Sequence, residues 1–348
     1  MLNPGAQAAC LLRLNPNPAA QASGLLRFSI LFSLTSIIVA YTSITGAFAE
    51  SGGDSATIVL HFPTAYSVGT LALKPFALSG VKPQDFRDAR ADVVIPAGAK
   101  VGLSLNFAGA NDTSFLRHLP APYLVSLELN KLGVDDEQAK NFKDLVALRN
   151  LNIEGTDIGD SGMQYFGDMK ELKSLTISRT MITGKSFALL PRYPKLDSLN
   201  AAHNKLDDRS CAYLEALKSL DNLRLGGCGF GDEALVHIGK LTTLRFLHLE
   251  RNRTITDAGI AHLSNLKALQ YLDISETKVT GACAKYLKAM TRLDDLYLSL
   301  RKLSPREIAA FHAAVPHCQI HDIRSTDNPP LELFGPLHSP MPRSSTVP

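Results

Sequence analysis

The sequence predicts an α/β solenoid, in which short parallel strands and helical turns alternate and stack coil upon coil. The first observation is an apolar spacing, Leu-x-x-Leu-x-Leu, that recurs eight times at a step of 24 residues, once lengthened to 25. The second is a change of period within each copy, from every second residue to about every third. The apolar positions are Leu124/Leu127/Leu129, Leu148/Leu151/Ile153, Leu172/Leu175/Ile177, Leu196/Leu199/Ala201, Leu220/Leu223/Leu225, Leu244/Leu247/Leu249, Leu269/Leu272/Ile274 and Leu293/Leu296/Leu298.

Each copy divides into a strand half and a helical half. The alternation around the leucines predicts a short strand with one buried face. In the second copy the apolar residues that follow are Ile158, Met163, Phe166 and Met169, and the steps of three indicate a helix or a tighter helical turn. An aspartate precedes this stripe in most copies, where we expect its carboxylate to cap free backbone NH groups. These aspartates are Asp136, Asp160, Asp208, Asp232 and Asp257.

One strand-and-helix unit is too small to bury its own apolar stripe against the entropy cost of ordering it, so the copies must stack. A repeat of this length and motif resembles the leucine-rich repeat family over about two thirds of the chain. The resemblance implies a right-handed solenoid with a parallel β-sheet on the concave face and helices on the convex face. We therefore expect eight full repeats plus terminal caps.

Eight residues after the first leucine, the second to seventh copies carry a small polar side chain or cysteine. The family resemblance implies that this position forms an inward ladder that bonds the backbone of neighbouring coils, whose buried polar groups need partners. Together with the turn at Thr256, Asp257 and Gly259, it is similar to the cysteine-containing subclass and to exported bacterial relatives. The expected ladder is Thr156, Thr180, Asn204, Cys228, Asn252 and Thr277.

Residues 1–49 contain no acidic side chain and only two charges, Arg13 and Arg27. An uncharged run over 28–49 ends in Ala47-Phe48-Ala49 before Glu50, which is typical of a signal peptide with its cleavage site. The protein is therefore expected to be exported to the periplasm, the cell surface or the medium. The same run is long enough to span a bilayer if it is not cleaved, so a single membrane anchor over 28–49 is the alternative.

The remaining segments are assigned by composition and by register with the repeat. We expect a linker and lead-in strands over 50–99, a degenerate capping repeat over 100–123 and the repeat domain with its C-terminal cap over 124–321. In that cap Val315, Cys318 and Ile320 reproduce the leucine spacing two residues early. Residues 322–348 are rich in proline, lack an apolar period and are expected to be disordered.

Charge and motifs exclude several functions. The net charge of +3 falls to about +1 without the leader, and no basic stripe is visible, so nucleic acid is not an expected partner. No nucleophile, phosphate-loop or zinc-protease motif occurs, so neither catalytic residues nor a cofactor are expected. No metal site is expected either, because His317 and His321 would stand about 13 Å apart on a strand. Cys211, Cys228, Cys283 and Cys318 are expected to be free, buried structural residues.

Two side chains per strand should point outward on the concave face. The amino-terminal copies place small polar residues there, whereas the carboxy-terminal copies place aromatic and charged residues. Aromatic residues beside arginine on an exposed face are typical of binding hot spots, and incidental aromatics on a solvated face are the alternative. The predicted partner site is Arg224, Arg245, Phe246, His248, Arg251, Tyr271, Asp273 and Tyr297.

The sequence thus favours an exported, non-enzymatic binding module that recognises a protein or a glycan. One alternative is a hydrolase that uses His203 or His248 with Asp273. The other is an intracellular adaptor of the F-box type, whose repeats look similar but which would lack a leader.

Overall fold

A computed structural model describes residues 57–74 and 85–322, where strands and short helical segments alternate along the chain. The predicted leader and anchor, the linker up to residue 56 and the tail from residue 323 lie outside the described residues. Within those two ranges, none of the helices has the length and apolarity that crossing a membrane requires. The strands are β1 Thr57–His61, β2 Gly69–Lys74, β3 Asp85–Asp88, β4 Asp92–Pro96, β5 Lys100–Leu105, β6 Leu124–Glu128, β7 Asn150–Asn152, β8 Ser174–Thr176, β9 Ser198–Asn200, β10 Asn222–Arg224, β11 Phe246–His248, β12 Tyr271–Asp273, β13 Asp295–Leu298 and β14 Gln319–Asp322.

The main sheet has twelve strands in the order β14-β13-β12-β11-β10-β9-β8-β7-β6-β5-β2-β3. From β5 to β14 every neighbouring pair is parallel, and the leucine at the centre of each strand faces its counterpart in the next copy, as Leu223 faces Leu247. The one 25-residue step falls between β11 and β12, where Leu247 pairs with Leu272. The α/β repeat solenoid predicted from the leucine period is confirmed.

Antiparallel strands close the amino-terminal end of this sheet. β2 lies between β3 and β5 and runs antiparallel to both, while β1 and β4 form a separate antiparallel pair. β5 pairs in parallel with β6 and places Leu103 beside Leu127, which is one repeat length away. The first coil of the stack therefore borders on β5 rather than on solvent.

The segments that return the chain from one strand to the next are short. Most are single α-turns or 3₁₀ turns, because the spacing of three suits the tighter helix. The α-helices are α1 Phe107–Asn111, α2 Asp136–Ala139, α3 Asp160–Met163, α4 Asp232–Ile238, α5 Asp257–His262, α6 Ala284–Leu287 and α7 Pro305–Ala314. The 3₁₀ segments are Ser114–His118, Lys140–Phe142, Gln164–Phe166, Gly184–Arg192, Asp208–Ala216, Leu263–Asn265, Gly281–Cys283 and Leu300–Lys302.

The core lies between the sheet and these segments. All the leucine-slot side chains of the eight copies are buried, and so are the apolar residues of the helical halves, including Met163 and Phe166. Phe142 and Phe166 stack in adjacent coils with ring centroids 5.9 Å apart. The four cysteines of the repeat region are buried and free, as predicted.

The aspartates that recur before the helical segments bond to a different coil from the one they precede. The side chain that caps each helical segment is usually that of the preceding residue, such as Thr183, Asp207 or Thr256. The aspartate itself reaches to the next coil: Asp232 accepts hydrogen bonds from the backbone N and the hydroxyl of Thr256 at 2.7 and 2.6 Å. The aspartates therefore do accept from free backbone NH groups, as expected, but from those of the following coil, which the strand spacing brings within reach.

Each coil bends at the same position through a left-handed backbone conformation. The residue seven places after the first leucine has a φ between 54° and 68° in seven successive coils. Only two of the seven are glycine, although this conformation costs other residues roughly 1 kcal/mol. The turn carries charged side chains along one border of the sheet, and its members are Lys131, Gly155, Arg179, His203, Gly227, Arg251 and Glu276.

The closing strand differs from the prediction in register. Val315 ends helix α7 instead of beginning a strand, and Ile320 faces Leu296, so the repeat length is kept rather than shortened by two. Val315 and Cys318 are nonetheless buried and close the end of the core. Backbone pairing with β13 determines this register, because a shift by two residues would displace Ile320 from its partner leucine.

Candidate functional site

Two rows of side chains cross the sheet face that points away from the core, one from the first and one from the last residue of each three-residue strand. The register places Asn222, Phe246 and Tyr271 in the first row and Arg224, His248 and Asp273 in the second. Over β6 to β9 these rows hold serine, asparagine, threonine and one glutamate. The chemistry of the face therefore changes at β10, where aromatic and charged residues begin.

The structure divides the predicted partner residues into an accessible and a buried set. Arg245 is exposed, and Arg224, Phe246, Arg251 and Tyr297 are half-buried. Three others are buried, and for them the expectation of an exposed face is wrong: exposure is 6% for His248, 2% for Tyr271 and 2% for Asp273. Large side chains on adjacent strands, about 4.8 Å apart, cover one another.

An aromatic stack runs along the carboxy-terminal strands. Ring centroids are 4.5 Å apart between His248 and Tyr271, 4.9 Å between Tyr271 and Tyr297, and 4.4 Å between Tyr297 and His321. His321 Nε2 lies 2.8 Å from Asp295 Oδ1, which holds the last ring in place. The stack leaves Tyr297 and His321 partly accessible at its end.

A second accessible group lies beside β11. The Arg245 guanidinium donates to Asp221 Oδ2 at 2.7 Å and lies 5.4 Å from the centroid of the Phe246 ring. This cation–π geometry and the ion pair hold both side chains in place. We name Arg245, Phe246, Arg251 and Tyr297 the contact surface. Arg224 is also half-buried, but its Nε is buried against the neighbouring residues, so we do not include it.

The half-buried Glu250 lies beside the buried His248 and Asp273, and we name these three residues the carboxylate–histidine cluster. One ligand-type atom from each of the three lies within 4.8 Å of the other two. Burial raises the pKa of the Glu250 carboxyl, and the nearby Asp273 charge raises it further. Burial also raises the pKa of Asp273, and burial together with Arg224 holds the pKa of His248 well below its ordinary value.

Arginines border this cluster on both sides. Arg224 is paired in register with His248, and Arg251 Nε lies 3.3 Å from Glu276 Oε1. Burial lowers the pKa of Arg224, although Tyr271 and Glu250 oppose that effect. Buried groups of opposite and like charge are thus concentrated in one place, a pattern that is frequent at functional sites.

Glu250 is the functional candidate that sequence reasoning missed. It follows the last leucine of its strand, where neighbouring coils have small residues such as Ala202, Gly226 and Ser275. A Cβ on Gly226 would come within 2.0 Å of Glu250 Oε1, so the glycine leaves the space that this carboxylate fills. This row contains two glutamates, Glu154 and Glu250, and the glycine one repeat before Glu250 was the available signal.

The predicted ladder residues use two bonding patterns. Asn252 and Asn204 donate from Nδ2 to the carbonyls of Leu225 and Ile177 in the preceding coil, at 2.9 and 2.7 Å. Cys228 Sγ lies 3.3 Å from the Ala201 carbonyl, also one coil back. The hydroxyls of Thr156, Thr180 and Thr277 instead donate to the carbonyl three residues earlier in their own coil.

His203, the other histidine considered for hydrolysis, is not part of the cluster. It occupies the left-handed turn with a φ of 61°, and its ring lies over Gly227. Burial, followed by the charges of Arg179 and Arg251, lowers its pKa. Of these two histidines, it is His248 that lies close to Asp273.

Comparisons with known proteins address the fold. A family model described as Leucine Rich repeat matches residues 148–167 and 240–264. Among curated proteins none matches the chain. The fold is similar to that of internalin C2 from Listeria monocytogenes, with a TM-score of 0.49 and 21% sequence identity over 57% of this chain and 80% of that chain. It is also similar to that of internalin inlF from the same organism, with a TM-score of 0.45 and 19% identity over 61% of this chain and 71% of that chain. A third similar structure is the plant peptide hormone receptor RGFR1 in complex with RGF2, with a TM-score of 0.41 and 18% identity over 59% of this chain and 36% of that chain.

Proposed function

We propose that this chain, a leucine-rich repeat protein by its sequence period and its fold, is a binding module that holds a protein partner against the contact surface. The observation that carries the proposal is the uneven face of the sheet. Polar residues without aromatic rings cover β6 to β9, whereas Arg245, Phe246, Arg251 and Tyr297 are accessible from β11 to β13. A surface of this kind fits protein binding better than catalysis, because arginine and aromatic side chains dominate interface energetics.

The contact surface is held in place before any partner arrives. The Asp221 ion pair orients Arg245 beside Phe246, the Glu276 ion pair orients Arg251, and the ring stack orients Tyr297. Side chains that are already ordered lose less conformational entropy when a partner binds. The arrangement therefore favours tight and specific association.

The test is capture by the purified protein from an extract of its native envelope or medium. The double variant Phe246→Ala/Tyr297→Ala should lose the captured partner by about tenfold or more, the size expected when hot-spot aromatics are truncated. The matched control is Glu128→Ala/Asn152→Ala, which alters the same sheet face on the amino-terminal strands and should capture normally. Equal capture by the Phe246/Tyr297 variant, with unchanged circular dichroism, would reject this surface. Capture of a glycan instead of a protein would show that the proposed class of partner is wrong.

We further propose that the module acts outside the cytoplasm. The support is the leader-like segment that ends at Ala49, and the Glu50 that follows the cleavage motif. Determining the first residue of the mature protein tests this directly. Glu50 at the amino terminus supports export, whereas an intact leader supports the anchored form over 28–49.

Hydrolysis by His248 with Asp273 is the alternative function. The structure brings the two residues together, but they are only 6% and 2% exposed, which leaves little room for a substrate to reach them. A screen of ester, peptide and phosphate substrates should show no turnover. Turnover that disappears in His248→Ala would favour the hydrolase.

A further inference from the structure

We propose that His248, Glu250 and Asp273 bind one divalent transition-metal ion, best matched by zinc, on the strand face of the carboxy-terminal repeats. The inference goes beyond partner binding and does not depend on it. The donor set is one imidazole and two carboxylates, which suits zinc and its neighbours in the first transition row. Magnesium and calcium prefer oxygen ligands alone.

The backbone positions the three donors on a rigid part of the sheet. His248 and Asp273 are paired in register on β11 and β12, and Glu250 lies two residues after His248. Asp273 is oriented by its neighbour, since the Ser275 amide donates to Asp273 Oδ1 at 2.9 Å. Such support from outside the ligand set is a usual feature of metal sites.

The distances are close to those that an ion requires. Zinc lies about 2 Å from each nitrogen or oxygen ligand, so two ligand atoms of one ion can be at most about 4 Å apart. The three donor atoms are within 4.8 Å of one another, and the longest separation must shorten by roughly 1 Å or less. Glu250 and Asp273 have rotatable side chains, through which we expect the donors to approach the ion.

A second observation concerns the carboxylate of Glu250. Glu250 Oε2 is buried and accepts no hydrogen bond from the residues that the structure describes. A buried carboxylate oxygen without a partner is costly, and a bound cation would satisfy it. Gly226 leaves the space for this carboxylate, because any larger residue would collide with it.

Charges near the cluster are consistent with one bound cation. Two carboxylates lie close together in a buried place, and a divalent ion removes their repulsion. Arg251 opposes the cation less than a free arginine would, since it is paired with Glu276. Arg224 also contributes positive charge, so we expect moderate rather than extreme affinity. The neutral imidazole of His248 is the form that would coordinate the ion.

The test uses the full mature chain after treatment with a chelator. Titration with zinc chloride in a calorimeter should show one equivalent bound, and cobalt(II) should give the visible absorption of a low-symmetry site. The variants Glu250→Gln and Asp273→Asn keep the size and shape of the side chains. Each should weaken zinc binding by roughly tenfold or more, as losing a direct ligand has at least the effect of losing a supporting residue.

The matched control is His321→Ala, which removes a histidine paired with a carboxylate on the same sheet face but outside the cluster. It should bind zinc like the wild type. Circular dichroism checks that all variants are folded. Two results would overturn the proposal: no stoichiometric binding by the wild type, or binding that Glu250→Gln and Asp273→Asn leave unchanged.

Discussion

The side chain of Asn252 accepts hydrogen bonds from three consecutive backbone NH groups of the preceding coil. Its side chain is fully buried, and Oδ1 accepts from the amides of Cys228, Gly229 and Phe230 at 3.0, 2.8 and 3.2 Å. Its Nδ2 donates to the carbonyls of Leu225 and Leu249. No other residue type has the two donors and the acceptor in a side chain of this length. Asn204 makes a smaller set, with Thr180 and Ile177 as partners.

We predict that Asn252→Ala lowers the free energy of unfolding by about 3 kcal/mol or more, because it leaves several buried backbone groups without partners. Asn204→Ala should cost less, about 1 to 2 kcal/mol. Urea denaturation followed by circular dichroism measures both. Exposed Asn130→Ala serves as the control and should remain within about 0.5 kcal/mol of the wild type. An equal loss in all three variants would contradict this account of the ladder.

At the scale of the element, each short helical segment depends on the coil before it. Asp160 illustrates the arrangement: its Oδ1 accepts from the Thr183 backbone N at 2.9 Å, and its Oδ2 accepts from the Thr183 hydroxyl at 2.5 Å. The Ser186 hydroxyl donates to the same carboxylate. Burial alone would raise the pKa of Asp160, but the hydrogen bonds from Ser186 and Thr183 outweigh it and hold that pKa below its ordinary value.

This shift predicts a pH dependence with a definite sign. A carboxyl whose pKa is lower in the folded protein adds stability above its unfolded pKa, near 4, and loses that contribution as the pH falls through the folded pKa. Asp160→Asn should therefore cost about 1 to 2 kcal/mol at pH 7 and progressively less in acid. Thermal unfolding between pH 7 and pH 3 measures the difference. Asp168→Asn, an exposed site in the same coil, is the control; a penalty for Asp160→Asn that stays constant with pH would contradict the argument.

At the scale of the molecule, the stack of coils behaves as a line of units that each contact only their neighbours. Parallel pairing from β5 to β14 joins them, and the core continues from coil to coil without interruption. Phe311 of helix α7 is fully buried and packs over the last coil. Damage at one end is thus expected to loosen adjacent coils first.

We predict that Phe311→Ala accelerates amide hydrogen exchange in β13 and β14 and leaves β7 and β8 nearly unchanged. The cavity should cost about 3 to 5 kcal/mol, felt mainly where the capping helix packs. Hydrogen exchange measured by mass spectrometry resolves the affected coils. Tyr213→Ala, on the exposed side of a central coil, is the control. Faster exchange spread evenly over all strands would show that the stack unfolds as one unit.

The fold was predictable from the leucine period because the pattern of buried side chains is local and is repeated. A step of 24 residues predicts a strand, a turn and a helical return in each copy, and it places the side chains of the leucine spacing in the core. The accessible part of the site was predictable for the same reason, since alternation along a strand determines that Phe246 and Tyr297 point away from the core. The ends of the stack were less predictable, because pairing with the neighbouring strand, rather than local sequence, sets the register of Ile320.

The sequence by itself determined the solenoid, its core and the half of the sheet that carries aromatic and charged residues. Tertiary structure alone decided which of those residues are buried, that Glu250 joins His248 and Asp273, and that aspartates such as Asp232 bond to the next coil. The physical reason is distance. These contacts join residues about one repeat apart in sequence, and their existence depends on the spacing and twist of adjacent strands, which no local pattern specifies.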